Sequence, residues 1–181
     1  MIKSYMTMDI NSAIPTGEWS LYFHSPREKK WSLDTYSLIT TVSTWDDMFA
    51  VTNELGDAKL KGGMFFWMRA GIPPLWENHQ NIRGGSYSLR GSTETGLDIF
   101  MKYSVGAMLG NISENPEDTI LGVSISPKLV DKGAQSGVGF YVIKIWNQDC
   151  TKFFIPQGIK LLDAKLTHAE IMYVPHNEKK M

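Results

Sequence analysis

Hydrophobic and polar positions alternate over Trp19-Ser20-Leu21-Tyr22-Phe23-His24, which sets Trp19, Leu21 and Phe23 on one face, as a half-buried strand requires. SPREKK follows as a polar turn, then Trp31, and the β-branched run Tyr36–Val42 predicts a second strand. Ser43 and Thr44, with Asp46 and Asp47 three residues on, start a helix. Its stripe is Trp45, Met48, Phe49, Thr52 and Leu55; LGDAKLKGG breaks it, and MFFWM is a third strand. GIPPLWENHQNIRGG, with two prolines and three glycines, is loop, and SYSLR resumes extended chain. Thr95, with Asp98 three on, opens a second helix that runs to Leu109 and ends at Gly110. Ile120–Ile125 reads as a strand, Ser126–Gly139 as a Gly-rich loop and Phe140–Trp146 as a strand. A short amphipathic helix near Thr151–Leu166 and a last strand, Glu170–Val174, complete the pattern. Strands outnumber helices, about three of which fall between them. The expected class is α+β, a curved, mostly antiparallel sheet with helices packed on one face.

Residues 1–16 are polar with little periodicity and read as a flexible arm; 177–181 should fray likewise, leaving 17–176 as a single domain. The total of 181 residues fits one domain, and 43% hydrophobic with 20% charged residues is ordinary globular composition. Eighteen Lys plus Arg against nineteen Asp plus Glu give a net charge of −1, which excludes the strongly basic profile of a protein gripping long nucleic acid. A ligand with only a few phosphates remains compatible. Cys150 is the one cysteine and the four His are scattered, so neither a disulfide nor a metal site is expected. The densest apolar run, Met64–Met68, is only five long, and no signal peptide is read at the N-terminus. The expectation is a cytoplasmic protein without membrane contact.

The alternation in Phe140-Tyr141-Val142-Ile143-Lys144-Ile145-Trp146 is the most informative. Tyr141, Ile143 and Ile145 suit a helix-covered face, while Val142, Lys144 and Trp146 face the other way. A Lys and a Trp there make a ligand surface; the alternative is a Trp packing the strand edge beside a solvated Lys. Trp31 and Trp76 lie in loops outside any apolar stripe. Either something stacks on them or both fold back as lids over the core. Glu77 directly follows Trp76. A carboxylate beside an aromatic plane suits a flat cationic ring with N–H donors on its edge, through cation–π contacts and charge-assisted hydrogen bonds. N7-methylguanine is such a ring; the alternative for Glu77 is a solvated loop acid.

W-S-L-Y-F at 19–23, K-K-W at 29–31, T-W-D-D-M-F-A-V at 44–51, G-I-P-P-L-W-E-N at 71–78 and R-G-G at 83–85 resemble, in order, the eukaryotic translation initiation factor 4E family, which binds the mRNA cap. L-D-I-F at 97–100 and K-I-W at 144–146 extend the resemblance over roughly residues 17–175. It implies a cup-shaped sheet with helices on its convex side, and a divergent member of the kind an unusual eukaryote or a virus would encode. On the matching positions Trp31 and Trp76 would sandwich the methylated base, Glu77 would read its N1 and N2, the Trp76 backbone N–H its O6, and Trp146 would lie against the methyl group.

Three family positions that usually grip the phosphates hold Ser86, Lys128 and Val142 here. Lys144 would substitute for Val142, two residues away on the same strand face and about 6.8 Å distant. Lys128 and Lys132 would complete the phosphate set, with a solvated Lys132 as the alternative. The 126–139 loop also looks longer than the family's and would reach toward the first transcribed nucleotide, unless it is a floppy insertion. On the convex face, the family's helix Trp, which receives a peptide from a scaffold factor or inhibitory binding protein, is replaced by Phe49, with Trp45 one turn earlier and Lys102 and Gly106 on the second helix. Such a groove should bind the usual peptide poorly and prefer an acidic or differently spaced motif. No cofactor is expected and no paired acid, base or metal set points to catalysis; a Cys150 nucleophile with His24 or His168 is the sole catalytic alternative. The expected protein is thus a monomeric initiation factor for capped mRNA, with a cap-binding repressor or a pure interaction module as rivals.

Overall fold

A computed structural model describes residues 9–132 and 135–177. Among these residues seven strands form one curved sheet: β1 (Trp19–His24), β2 (Tyr36–Val42), β3 (Met64–Arg69), β4 (Gly85–Gly91), β5 (Ile120–Lys132), β6 (Gln135–Asn147) and β7 (Met172–Pro175). Their order is β2-β1-β3-β5-β6-β4-β7, and every neighbouring pair is antiparallel. The helices α1 (Trp45–Gly62) and α2 (Gly96–Leu109) cover one face. Between them and the sheet lies the main core, where Trp19, Leu21, Trp67, Val123, Tyr141, Ile143 and Ile145 meet Trp45, Met48, Ile99, Phe100 and Tyr103. The opposite face is open and carries a smaller apolar cluster of Met64, Phe66, Met68, Ile72, Leu121 and Trp146.

Local chemistry explains both helices. The Thr44 hydroxyl accepts from the Asp47 N–H at 3.2 Å and caps α1. The expected break at LGDAKLKGG is a kink at Gly56, where φ is +66°; the helix resumes because Leu60 still finds a seat in the core. Helix α2 ends as expected at Gly110, φ +72°, whose N–H returns to the Ala107 carbonyl. Thr95 does not cap it, since its hydroxyl is engaged with Ser92.

Three expectations are corrected. The third helix is absent: Thr151–Leu166 holds one 3-10 turn, Pro156–Gly158, and otherwise runs irregularly across α2. Pro156 cannot donate to a helical ladder, and the segment is fixed instead by buried Ile159 and by the Tyr103 hydroxyl donating to the Lys160 carbonyl at 2.8 Å. The Ser126–Gly139 loop is mostly strand, because β5 and β6 stay paired out to Lys132 and Gln135. Finally, residues 9–16 are anchored. Ile14 is buried, Ala13 bridges Thr44, and the Trp19 indole N–H donates to Thr16, whose hydroxyl donates to the Met108 carbonyl. Residues 1–8 of the arm and 178–181 of the tail lie outside the described residues.

Candidate functional site

The open face holds a cleft of about 490 Å³. Its floor includes Met64, Phe66 and Trp146 of the smaller apolar cluster, and its walls come from loops at both ends of the sheet. Trp31 forms one wall. Its indole lies flat on the buried His24 ring, centroids 4.4 Å apart and planes within 3°. His24 Nε2 is shared between the Lys30 carbonyl and the Thr35 hydroxyl, each at 3.1 Å, so the loop carrying Trp31 is tied to β1. One indole face is thereby backed, and the residue remains 47% exposed.

Trp76 lies on the same cleft, 51% exposed. Asn81, fully buried, donates from Nδ2 to the carbonyls of Pro73 at 2.8 Å and Leu75 at 2.7 Å, which fixes the turn before Trp76. The R-G-G that follows is a packing requirement: a Cβ on Gly84 would overlap the Asn147 carbonyl, and one on Gly85 would overlap the Tyr173 hydroxyl. Glu77 is exposed and is not among the cleft-lining residues. Its charge nevertheless reaches the cleft, because burial and then the Glu77 carboxylate push the Tyr36 hydroxyl, a cleft residue, above the ordinary tyrosine range.

The alternation read in Phe140–Trp146 holds. Tyr141, Ile143 and Ile145 are buried against the helices, while Val142, Lys144 and Trp146 line the cleft. Trp146 is only 6% exposed and donates from Nε1 to the Ser124 hydroxyl at 3.0 Å, so it is floor and strand packing together. Lys128 and Lys144 come together in the cleft with Ser86. Neither lysine enters an ion pair among the described residues. The surrounding cleft, and then the Lys128 ammonium, hold Lys144 below the ordinary lysine range. Lys132 pairs with Gln135 in the backbone ladder, but its side chain lies outside the described residues.

His176 is a site residue that sequence reasoning missed. It lines the cleft with its ring 4.9 Å from that of Trp146, and Nδ1 lies 2.9 Å from the Asn81 carbonyl. Burial holds it below the ordinary histidine range, helped by Lys144 and opposed by that carbonyl. A lone His near the end of the chain carries no sequence signal. Of the alternative partners of Cys150, His24 is buried under Trp31 with Nε2 bonded as above and Nδ1 unpaired, and His168 Nε2 lies 2.9 Å from the Ile159 carbonyl.

On the helical side, Phe49, Lys102 and Gly106 line one shallow groove with Met101, Val105 and Leu162. Trp45 does not reach that surface; it is 1% exposed and backs Phe49 from within the core. Lys102 is bracketed by Asp98 at 2.6 Å and Asp163 at 2.9 Å, so its charge is already matched and gives no pull on an acidic motif. Gly106 is small because a Cβ there would overlap the Ile112 side chain.

An open sheet face with two half-exposed indoles and two unmatched ammonium groups has the chemistry to hold a flat ring with an anionic tail. Among the described residues no group of three His, Cys, Asp or Glu could hold a metal, and no helix is long and apolar enough to cross a membrane. The sequence profile "Eukaryotic initiation factor 4E" matches residues 16–180, and the chain belongs to that family, which consists of cap-binding proteins and not enzymes. Eukaryotic translation initiation factor 4E of Aplysia californica is 27% identical over 154 residues, covering 81% of this chain and 67% of that protein. The human factor is 25% identical over 138 residues, covering 73% of this chain and 59% of that protein. The chain thus spans about two thirds or less of these relatives. Among solved structures, Ascaris suum eIF4E-3 in complex with m7G cap has a TM-score of 0.70 at 18% identity, covering 94% of each chain. Caenorhabditis elegans eIF4E-3 in complex with the 4E-binding protein Mextli has a TM-score of 0.72 at 17% identity, covering 92% of this chain and 94% of that one.

Proposed function

We propose that the chain binds the N7-methylguanosine cap of mRNA in the open-face cleft and acts as a translation initiation factor. The observation that carries this reading is that Trp31 and Trp76, brought by two separate loops, are both half-exposed on one cleft. Solvent-facing indoles held by buried tethers on each loop are poised to stack on a ring. The methylated base would enter between them, since its positive charge favours two aromatic faces by about 2 kcal/mol per desolvated contact. Glu77 would accept from the base N1–H and N2–H, the Trp76 backbone N–H would donate to O6, and Trp146 would lie against the methyl group. Lys144 and Lys128 would take the phosphates, replacing the cations lost at Ser86 and Val142.

The groove of Phe49, Lys102 and Gly106 is the proposed seat of a scaffold or inhibitory peptide, and its matched charges favour an apolar anchor over an acidic one. Titration of the intrinsic Trp fluorescence with N7-methyl-GTP and with GTP tests the central reading. Strong quenching by the methylated nucleotide alone is expected; indistinguishable titrations would remove it.

A further inference from the structure

Past the cleft, the open face continues onto the β5–β6 hairpin. Lys128 and Phe140 are paired directly across it, so their side chains leave the same face of the sheet. Lys128 lines the cleft, which puts Phe140 on the cleft side, just beyond Val142. Arg90, paired with Val142 from β4, lays its guanidinium over the Phe140 ring, 4.0 Å from the centroid. The register shifts between Lys128 and Leu129, where Phe140 and then Val138 are the partners, so Gly139 is an unpaired bulge residue. Beyond it Val138 packs against the helix-side core, and no ring follows Phe140 toward the hairpin tip. Arg90 is exposed, and neither it nor Lys128 enters an ion pair among the described residues. A cation seated over a ring, with no protein anion to hold it, is a stacking platform for a nucleobase.

We propose that Phe140, Arg90 and Lys128 form a second nucleotide subsite, on which the first transcribed base of a capped RNA stacks while Lys128 meets its phosphate. Phe140 stands six positions before Trp146, about 20 Å along the strand. Lys144 and Lys128 stand along that path, so a polyphosphate laid over them leads from the base slot to the platform. Stacking on a guanidinium–ring pair tolerates any base, and the larger face of a purine gains more from it than a pyrimidine. The subsite rests on the cap-binding reading above.

The test compares N7-methyl-GTP with capped trinucleotides whose first transcribed base is adenine or cytosine, titrated against the full chain. Phe140→Ala and Arg90→Gln should each weaken the adenine trinucleotide about fivefold or more while changing N7-methyl-GTP less than about twofold. Both should also shrink the difference between adenine and cytosine, and Phe140→Trp should keep it. If N7-methyl-GTP binds but these variants treat it and the trinucleotides alike, or change neither, the subsite is refuted and cap binding stands. If the unmodified chain fails to bind N7-methyl-GTP, the cap-binding reading falls and takes the subsite with it. Arg90→Gln, at an exposed position, decides the matter should Phe140→Ala not fold.

Discussion

Truncating Trp31 to alanine is the sharpest perturbation of the proposed slot, and the structure sets its size. The indole is 47% exposed with one face already stacked on His24, so about 120 Å² of a side chain that buries at most about 250 Å² remains for a ligand to cover. At about 25 cal/mol per Å² that area is worth up to about 3 kcal/mol. A cationic base adds about 2 kcal/mol of cation–π attraction. Because the rim of the ring stays wet, a total near 3–4 kcal/mol is expected, or a loss of roughly 100- to 1000-fold at about 1.4 kcal/mol per decade. Trp31→Phe should recover most of this. Calorimetry with N7-methyl-GTP measures the change, and thermal melts of the same variants report whether exposing His24 has loosened the 25–35 loop. A loss below about fivefold in a variant that melts with its parent would refute the stacking role of Trp31.

Three further outcomes follow from particular contacts. Lys144→Glu should weaken N7-methyl-GTP about tenfold or more and flatten the dependence of affinity on salt, because Lys144 and Lys128 are the cleft's unmatched cations; unchanged affinity would return Lys144 to solvent. Asn147→Ala should cost about 3–5 kcal/mol, since buried Asn147 accepts from Gly85 N–H and the Tyr173 hydroxyl and donates to Asp118 and the Phe153 carbonyl. A fall in melting temperature of about 6–20 °C is the expected reading in a melt. Burial pushes Asp118 up to about 6, opposed by hydrogen bonds from Asn147 and Ser113. A carboxyl raised on folding favours the folded state at acid pH, and its contribution is lost as pH rises through 6. Asp118→Asn should therefore gain about 1–2 kcal/mol at pH 7.5 relative to the parent, after allowing for residual solvent screening. That gain should shrink as pH falls below 6 and vanish only below the ordinary carboxylate value of 3.8; a gain equal at pH 7.5 and at about pH 3 would refute the assignment.

Much of this architecture is written locally. Strands β1 and β2 follow from alternation and β-branching, and the end of α2 follows from Gly110, because each depends on near neighbours in sequence. The placement of Trp146 and Lys144 was legible because β6 has one wholly apolar face and one mixed face. The same logic was blind on β3. Phe65 and Trp67 enter the main core while Met64, Phe66 and Met68 join the apolar cluster on the open face, so a strand apolar on both faces shows no period. Glycines at 137 and 139 made the hairpin read as a loop, although pairing across it, not propensity, decides its form. Lys102 looked like a free charge because Asp163, one of its two partners, lies far along the chain. His176 was missed for the same reason: only the pairing of β7 with β4 brings it to Trp146.

That pairing has a consequence for biosynthesis. Strand β7 is an edge strand whose end delivers Val174, Pro175 and His176 to the cleft wall, and it joins the sheet beside β4, made some eighty residues earlier. A ribosome must therefore release nearly all of residues 9–177 before the pocket exists, since domains form as units during synthesis. Prematurely stopped chains would lack that wall, so they should compete poorly for whatever ligand the finished protein holds.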